Sequence, residues 1–216
     1  MIAYTGARVF NGQTLLVDHA LVVDAGGATN IMPQAELPQR TKTHPLAGGI
    51  LSPGFVDLQV NGGGGVMLNS APDHLSVARK GAHDGSLIRP LSDDDMAMLT
   101  DAVAQIPNLM MTLAPENATP DQIAALTQAG VLVSLGHSDC DYDTAMRAFD
   151  AGARMATHLF NAMSQANARS PGLVGAALDH PRVASGLIAD GVHVHPAMIR
   201  AALAANRGAA EVFLVT

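Results

Sequence analysis

Apolar residues in this chain fall in short runs rather than long stripes. In residues 1–50 the runs are brief, as in Ala7-Arg8-Val9-Phe10 and His19-Ala20-Leu21-Val22-Val23, with Asn11-Gly12 and Gly26-Gly27 between them. Short β-like runs separated by residues that accept tight turns predict a few strands of a small sheet. From Gly49 the pattern changes to strand, loop, helix, strand. Strand-like runs occupy 49–60, 109–113, 132–138, 155–163, 185–190 and 212–216. Between them, Thr119-Pro120-Asp121-Gln122 has the form of a helix start, with a capping residue, Pro at the first helical position and Gln three residues after the cap. Gly130 ends that helix. The stretches 142–151 and 196–206 read as two more helices, the second with Gly208 just beyond it. Alternating strands and helices imply a parallel sheet with right-handed crossovers.

Polar residues recur where these strands end. They are Gln59 and Asn61, Glu116, His137, His158 and Asn161, Asp190 and His193. Parallel α/β folds put their chemistry at the C-terminal edge of the sheet. His137 and His158 stand one strand-plus-helix unit apart, so adjacent parallel strands bring two imidazoles to the same end, where they can share a metal ion. A (β/α)₈ barrel is the natural architecture, but it typically needs about 250 residues. The residues after 50 give six strands rather than eight.

Composition narrows the possible functions. With 216 residues and 48% hydrophobic content, the chain can bury a substantial core as one domain or one plus a small appendage. A net charge of −7 argues against a nucleic-acid binder, which needs clustered Lys and Arg. The single cysteine, Cys140, excludes an intrachain disulfide and a Cys-rich zinc module, and fits a reducing, cytoplasmic location. The first residues show no signal-peptide pattern, and no stretch approaches the ~20 apolar residues of a membrane span. The core must be built from aliphatic side chains and Met, because Trp is absent and aromatics make up 3%.

At the strand ends the residues resemble a known family. Pro53-Gly54-Phe55-Val56-Asp57-Leu58-Gln59-Val60-Asn61-Gly62 looks like the first barrel strand of the amidohydrolase superfamily, and in particular of N-acetylglucosamine-6-phosphate deacetylases. The same holds for Arg79-Lys80-Gly81-Ala82-His83, Thr112-Leu113-Ala114-Pro115-Glu116, Gly136-His137-Ser138, 157–163 and 188–193. The resemblance implies an amidohydrolase (β/α)₈ TIM-type barrel, incomplete here over 51–216, with a small β-sandwich domain that includes residues 1–50. It also implies a homodimer that hydrolyses the acetamide of N-acetylglucosamine 6-phosphate in amino-sugar breakdown. Two departures stand out. The family's metal-ligating glutamate belongs to a Leu-Glu-Gly-Pro-like motif that is missing before His74. Its catalytic aspartate directly follows the Leu-Val-Thr matched by Leu214-Val215-Thr216.

The implied chemistry needs a divalent cation, which lowers the pKa of a bound water and polarises the amide carbonyl. His137 and His158 would be its imidazole ligands, and Zn²⁺ or Fe²⁺ suits an imidazole–carboxylate site. Many amidohydrolases carry His-x-His on the first strand and hold a second metal there. Gln59-Val60-Asn61 offers neutral amides instead, so one metal is expected. Gln59 and Asn61 are site candidates whose other use is to bond loop backbone. The resemblance assigns substrate contacts to Ala82, His83, Asn161, Ala162 and His193, and phosphate binding to Arg169, whose guanidinium fork suits an oxyanion. Glu116 has the form of a catalytic carboxylate, although structural use is the stronger reading. Asp190 is expected to orient a neighbouring loop and His195 to cap a helix, while His19, His44, His74 and His180 are expected to be structural or on the surface. The four glycines at 62–65 lack the Lys-Ser/Thr of a phosphate loop and read as a turn. Two other readings stay open: an amidohydrolase acting on a cyclic amide or a different N-acyl sugar, and a catalytically inactive homologue.

Overall fold

The computed structural model describes residues 1–54, 62–63, 66–67, 88–106, 108–207 and 211–215. The candidates Gln59, Asn61, His74, Ala82, His83 and Gly208 lie outside them. The chain forms two compact units, 1–56 and 57–216.

The first unit holds β1 (Ile2–Thr5), β2 (Arg8–Phe10), β3 (Leu15–Leu16), β4 (His19–Val23), β5 (Thr29–Pro33), β6 (Lys42–Pro45) and β7 (Ile50–Leu51). They form a four-stranded sheet in the order β5-β4-β1-β6 and a three-stranded sheet in the order β3-β2-β7. Both turn signals work through local side-chain bonds. Asn11 Oδ1 accepts from the Gln13 and Thr14 N–H groups beside Gly12 at φ +97°. Asp24 Oδ1 accepts from Gly26 and Ala28, beside Gly27 at φ +84°. Such self-bonded turns with a left-handed glycine set the register of β2–β3 and β4–β5. The strand expected at 49–60 is corrected in part. Ile50 and Leu51 pair in parallel with Arg8 and Val9 and so belong to the small sheet, and 55–60 fall outside the described residues.

In the second unit, β8 (Gly62–Gly63) pairs antiparallel with β9 (Val66–Met67). The main body is an alternation: α1 (Asp93–Val103), β10 (Met110–Leu113), α2 (Pro120–Ala129), β11 (Leu132–Leu135), α3 (Tyr142–Asp150), β12 (Met155–Ala156), α4 (Gly172–Asp179), β13 (Ala184–Leu187), α5 (Pro196–Ala205) and β14 (Val212–Leu214). The five strands β10 to β14 pair in chain order, every pair parallel. The sheet is therefore the expected parallel α/β layer, with five paired strands among the described residues rather than six. Leu113, Leu135, Ala156 and Leu187 carry its buried face. The helices bury Ile123 and Leu126 from α2, Ala145 and Phe149 from α3, and Leu173 and Val174 from α4 in the same core.

α2 forms where the sequence predicts it, and α3 and α5 each end one residue earlier. Thr119 and Gln122 complete a reciprocal capping box, and Gly130 ends α2 at φ +101°. His195 caps α5, its Nδ1 accepting from Ala197 N at 3.2 Å. α1 and α4 lie outside the helices that the sequence predicts. α1 carries a readable cap, Ser92 with Asp95. α4 has no side-chain cap and is nearly all apolar, so its sequence resembles a buried strand.

Candidate functional site

The turns after β10, β11 and β12 converge at one edge of the parallel sheet. Three hydroxyls stack across the strands beneath them, with Thr157 Oγ1 2.9 Å from Thr112 Oγ1 and 2.6 Å from Ser134 Oγ. Gly136 lies over this stack. A Cβ there would meet Thr157 Cβ at 2.8 Å, so only glycine allows the backbone to pass. His137 follows directly.

His137 Nε2 and His158 Nε2 are 2.9 Å apart, with ring centroids separated by 4.7 Å. Both residues hold positive φ, +50° and +31°, and Phe160 and Ala162 do too. Left-handed backbone costs a non-glycine residue roughly 1 kcal/mol or more, and such strain collects where surrounding structure fixes a functional side chain. Backbone bonds do the fixing. Thr157 N donates to Leu135 O at 2.8 Å, Leu159 N to Gly186 O at 2.7 Å and Ser138 N to Ala162 O at 3.1 Å. His158 is buried, and burial pushes its imidazole below the usual histidine range, with the charge of nearby His193 acting in the same direction. That favours the neutral, ligating form.

Two nitrogens bound tetrahedrally at about 2.0–2.1 Å lie roughly 3.3 Å apart, so the pair fits a shared divalent cation with a small opening. Among the described residues, no group of three His, Cys, Asp or Glu side chains is placed to hold one. His158 Nδ1 is buried with no hydrogen-bond partner among them, whereas a ligating imidazole ordinarily gives its second N–H to an acceptor.

Around the pair, Asp190 Oδ1 accepts from the Val192 and His193 N–H groups, and its Oδ2 lies 2.7 Å from His193 Nδ1. Asp190 thus holds its own turn and the His193 ring rather than the neighbouring loop expected, and the His193 bond is the main reason its carboxyl falls to about 2. Asn161 N donates to His158 O at 2.9 Å, and its Nδ2 reaches Leu159 O at 3.3 Å. Arg169 is exposed in a tight turn closed by reciprocal Asn167–Ser170 backbone bonds. Glu116 bonds the turn after His137 and does not face the pair as a ligand. His180 is structural, buried with its ring 5.5 Å from that of Phe149, and His44 is exposed beside Tyr4.

The NagA composite domain model matches residues 1–51. An N-acetylgalactosamine-6-phosphate deacetylase from Shewanella is 30% identical over an alignment of 276 positions that takes in this entire chain and 69% of the relative. This chain belongs to the N-acetylglucosamine-6-phosphate deacetylase family. Members of this deacetylase family are amide hydrolases. An N-acetylglucosamine-6-phosphate deacetylase from Haemophilus influenzae is 32% identical over 89% of this chain and 65% of its own length. The chain thus spans about two thirds of these deacetylases, and the Shewanella protein has internal residues with no counterpart here. Among solved deacetylases, that of Pasteurella multocida matches with a TM-score of 0.79 and 31% identity, over all of this chain and 71% of its own. A Mycobacterium smegmatis deacetylase mutant solved with N-acetyl-D-glucosamine-6-phosphate matches with a TM-score of 0.78 and 27% identity.

Sequence reasoning missed Ser138 and the Thr112–Thr157–Ser134 stack. Their signal was small hydroxyl residues inside apolar strands that end in histidine.

Proposed function

We propose that this chain carries the metal-binding and sugar-binding edge of a deacetylase that hydrolyses the acetamide of N-acetylglucosamine 6-phosphate. The observation that carries the reading is the convergence of His137 and His158 Nε2 to 2.9 Å on left-handed turns at the sheet's C-terminal edge. The proposal includes a barrel completed beyond the five described strands, a homodimer, which rests on the resemblance alone, and a cytoplasmic location, which the free Cys140 fits.

His137 and His158 would hold one divalent cation, Zn²⁺ or Fe²⁺. When bound, that ion supplies an acidified water and a polarised carbonyl. His193, fixed through Nδ1 by Asp190, presents its other ring nitrogen to the sugar. Asn161 and Ala162 line the sugar from the loop after His158, and Arg169 pairs with the phosphate, in a neighbouring subunit's site where the dimer places it there. Ala82 and His83 complete the proposed substrate contacts, and Gln59 and Asn61 stay site candidates without an assigned contact.

Acetate release should be measured on N-acetylglucosamine with and without the 6-phosphate, with and without chelator. The expected result is turnover of the phosphorylated sugar alone, lost with chelator and reduced at least ~100-fold by His137→Ala or His158→Ala. Chelator-insensitive turnover, or equal rates without the phosphate, would overturn the reading. One further reading has a specific observation behind it. The Shewanella relative is named for the galacto epimer, so N-acetylgalactosamine 6-phosphate belongs in the same assay.

A further inference from the structure

We infer that Glu116 is a positioning residue that holds His137 in its left-handed turn, acting through Ser138 and Asp139 from the neighbouring strand end. Both carboxylate oxygens are committed to that turn. Ser138 Oγ donates to Oε2 at 2.6 Å and Asp139 N donates to Oε1 at 2.8 Å. Ser138 is completely buried and joins three loops. Its N–H donates to Ala162 O at 3.1 Å, its carbonyl accepts from Ser164 N at 3.0 Å, and its Oγ accepts from Cys140 N at 3.1 Å. Glu116 is therefore the anchor that the β10 turn gives to a node shared by the β11 and β12 turns.

His137 sits between two fixed points. On one side Gly136 packs on Thr157 and donates to Leu113 O at 3.1 Å. On the other is Ser138. A histidine at φ +50° lies above its ordinary backbone minimum and stays there only while both neighbours are held. Removing the Glu116 carboxylate leaves the Ser138 hydroxyl and the Asp139 N–H without their acceptor, and the cheapest relaxation is to rotate this peptide. The His137 ring would then turn away from His158. A ligating imidazole that loses outer support typically loses about 10–100-fold in metal affinity.

The functional meaning of this role rests on the metal reading above, so the experiment separates the two. In histidine-labelled protein, the ring-to-ring NOE between His137 and His158 is compared for wild type, Glu116→Gln, Glu116→Ala and Ser138→Ala, with Zn²⁺ titrations on each. Glu116→Ala should lose the NOE and bind Zn²⁺ about tenfold more weakly. Glu116→Gln should keep the NOE and bind within about threefold of wild type, because its amide can accept from Asp139 N and donate to Ser138 Oγ. Should Glu116→Ala fail to fold, Ser138→Ala, which removes one hydroxyl, must weaken the NOE in its place. An intact NOE in folded Glu116→Ala overturns the positioning role, even with a lowered melting temperature. An NOE lost while Zn²⁺ binding stays at the wild-type level in both Glu116→Ala and His137→Ala supports the positioning role and overturns the metal reading instead.

Discussion

At the residue scale the site is made by backbone in unusual conformations and by carboxylates that hold loops. Asp190 is the clearest case. Its carboxylate takes two backbone N–H bonds and the His193 ring nitrogen, and these lower its pKa from 3.8 to about 2, with the His193 side-chain bond the largest cause. The sign follows from linkage. A carboxyl with a depressed folded pKa contributes stability above its unfolded value, and that contribution is lost as pH falls from about 4 to about 2. The residue is exposed and screened, so the effect belongs to the loop rather than to the whole fold. In a carboxyl-carbon NMR titration Asp190 should titrate near the lower value in wild type and move upward in His193→Ala. An unchanged midpoint would show that the two backbone bonds alone set it. Asp190 and His193 were legible as strand-end polar residues. Their mutual bond was not, because it depends on the turn that folds the chain back over three residues.

At the element scale, the elements read most clearly from sequence were those with their own end signals. Thr119-Pro120-x-Gln122 and Gly130 mark α2 by local chemistry alone, and the structure builds both caps from those residues. α4 shows the opposite case. It lacks a side-chain cap and buries Leu173, Val174, Ala176 and Ala177, so no polar face gives it a helical period. α1 had a signal in Ser92-x-x-Asp95, strengthened by Arg89, which forms a bidentate pair with Asp95 and holds that carboxyl well below the usual range. The cap on α2 gives a direct test. Thr119→Ala should destabilise the second unit by about 1 kcal/mol in denaturant unfolding, and Thr119→Ser should be nearly neutral, since serine offers the same acceptor. A loss in Thr119→Ser equal to that in Thr119→Ala would assign the effect to the lost methyl group rather than to the cap.

At the scale of the whole molecule the two units differ in how much apolar surface they bury. The larger has a continuous core in which Leu113, Ile123, Leu126, Leu135, Phe149, Leu159 and Leu173 are fully buried. Among the described residues the smaller buries Ala3, Ala20 and Val22 as a cluster, with Met32 and Leu37 packed against it, and Ala7 and Val9 besides. Fully burying a side chain the size of Val stabilises by about 1.5–3 kcal/mol, and alanines contribute less. Ordering each residue costs about 1–2 kcal/mol in backbone entropy. Hydrogen-bonded ladders therefore carry more of the first unit's order than packing does, and such units open at low free energy. Short strands and turn residues made the sheet legible there, but sequence showed no core to match, since the runs 7–10 and 19–23 each send few large side chains inward. Native-state hydrogen exchange should resolve the difference. Slowly exchanging amides of β1 and β4 should be protected about 100-fold less than those of β11 and β13, which corresponds to roughly 3 kcal/mol. Equal protection in both sets would overturn this ranking and show that the first unit's ladders and small core hold it as firmly as the second unit is held.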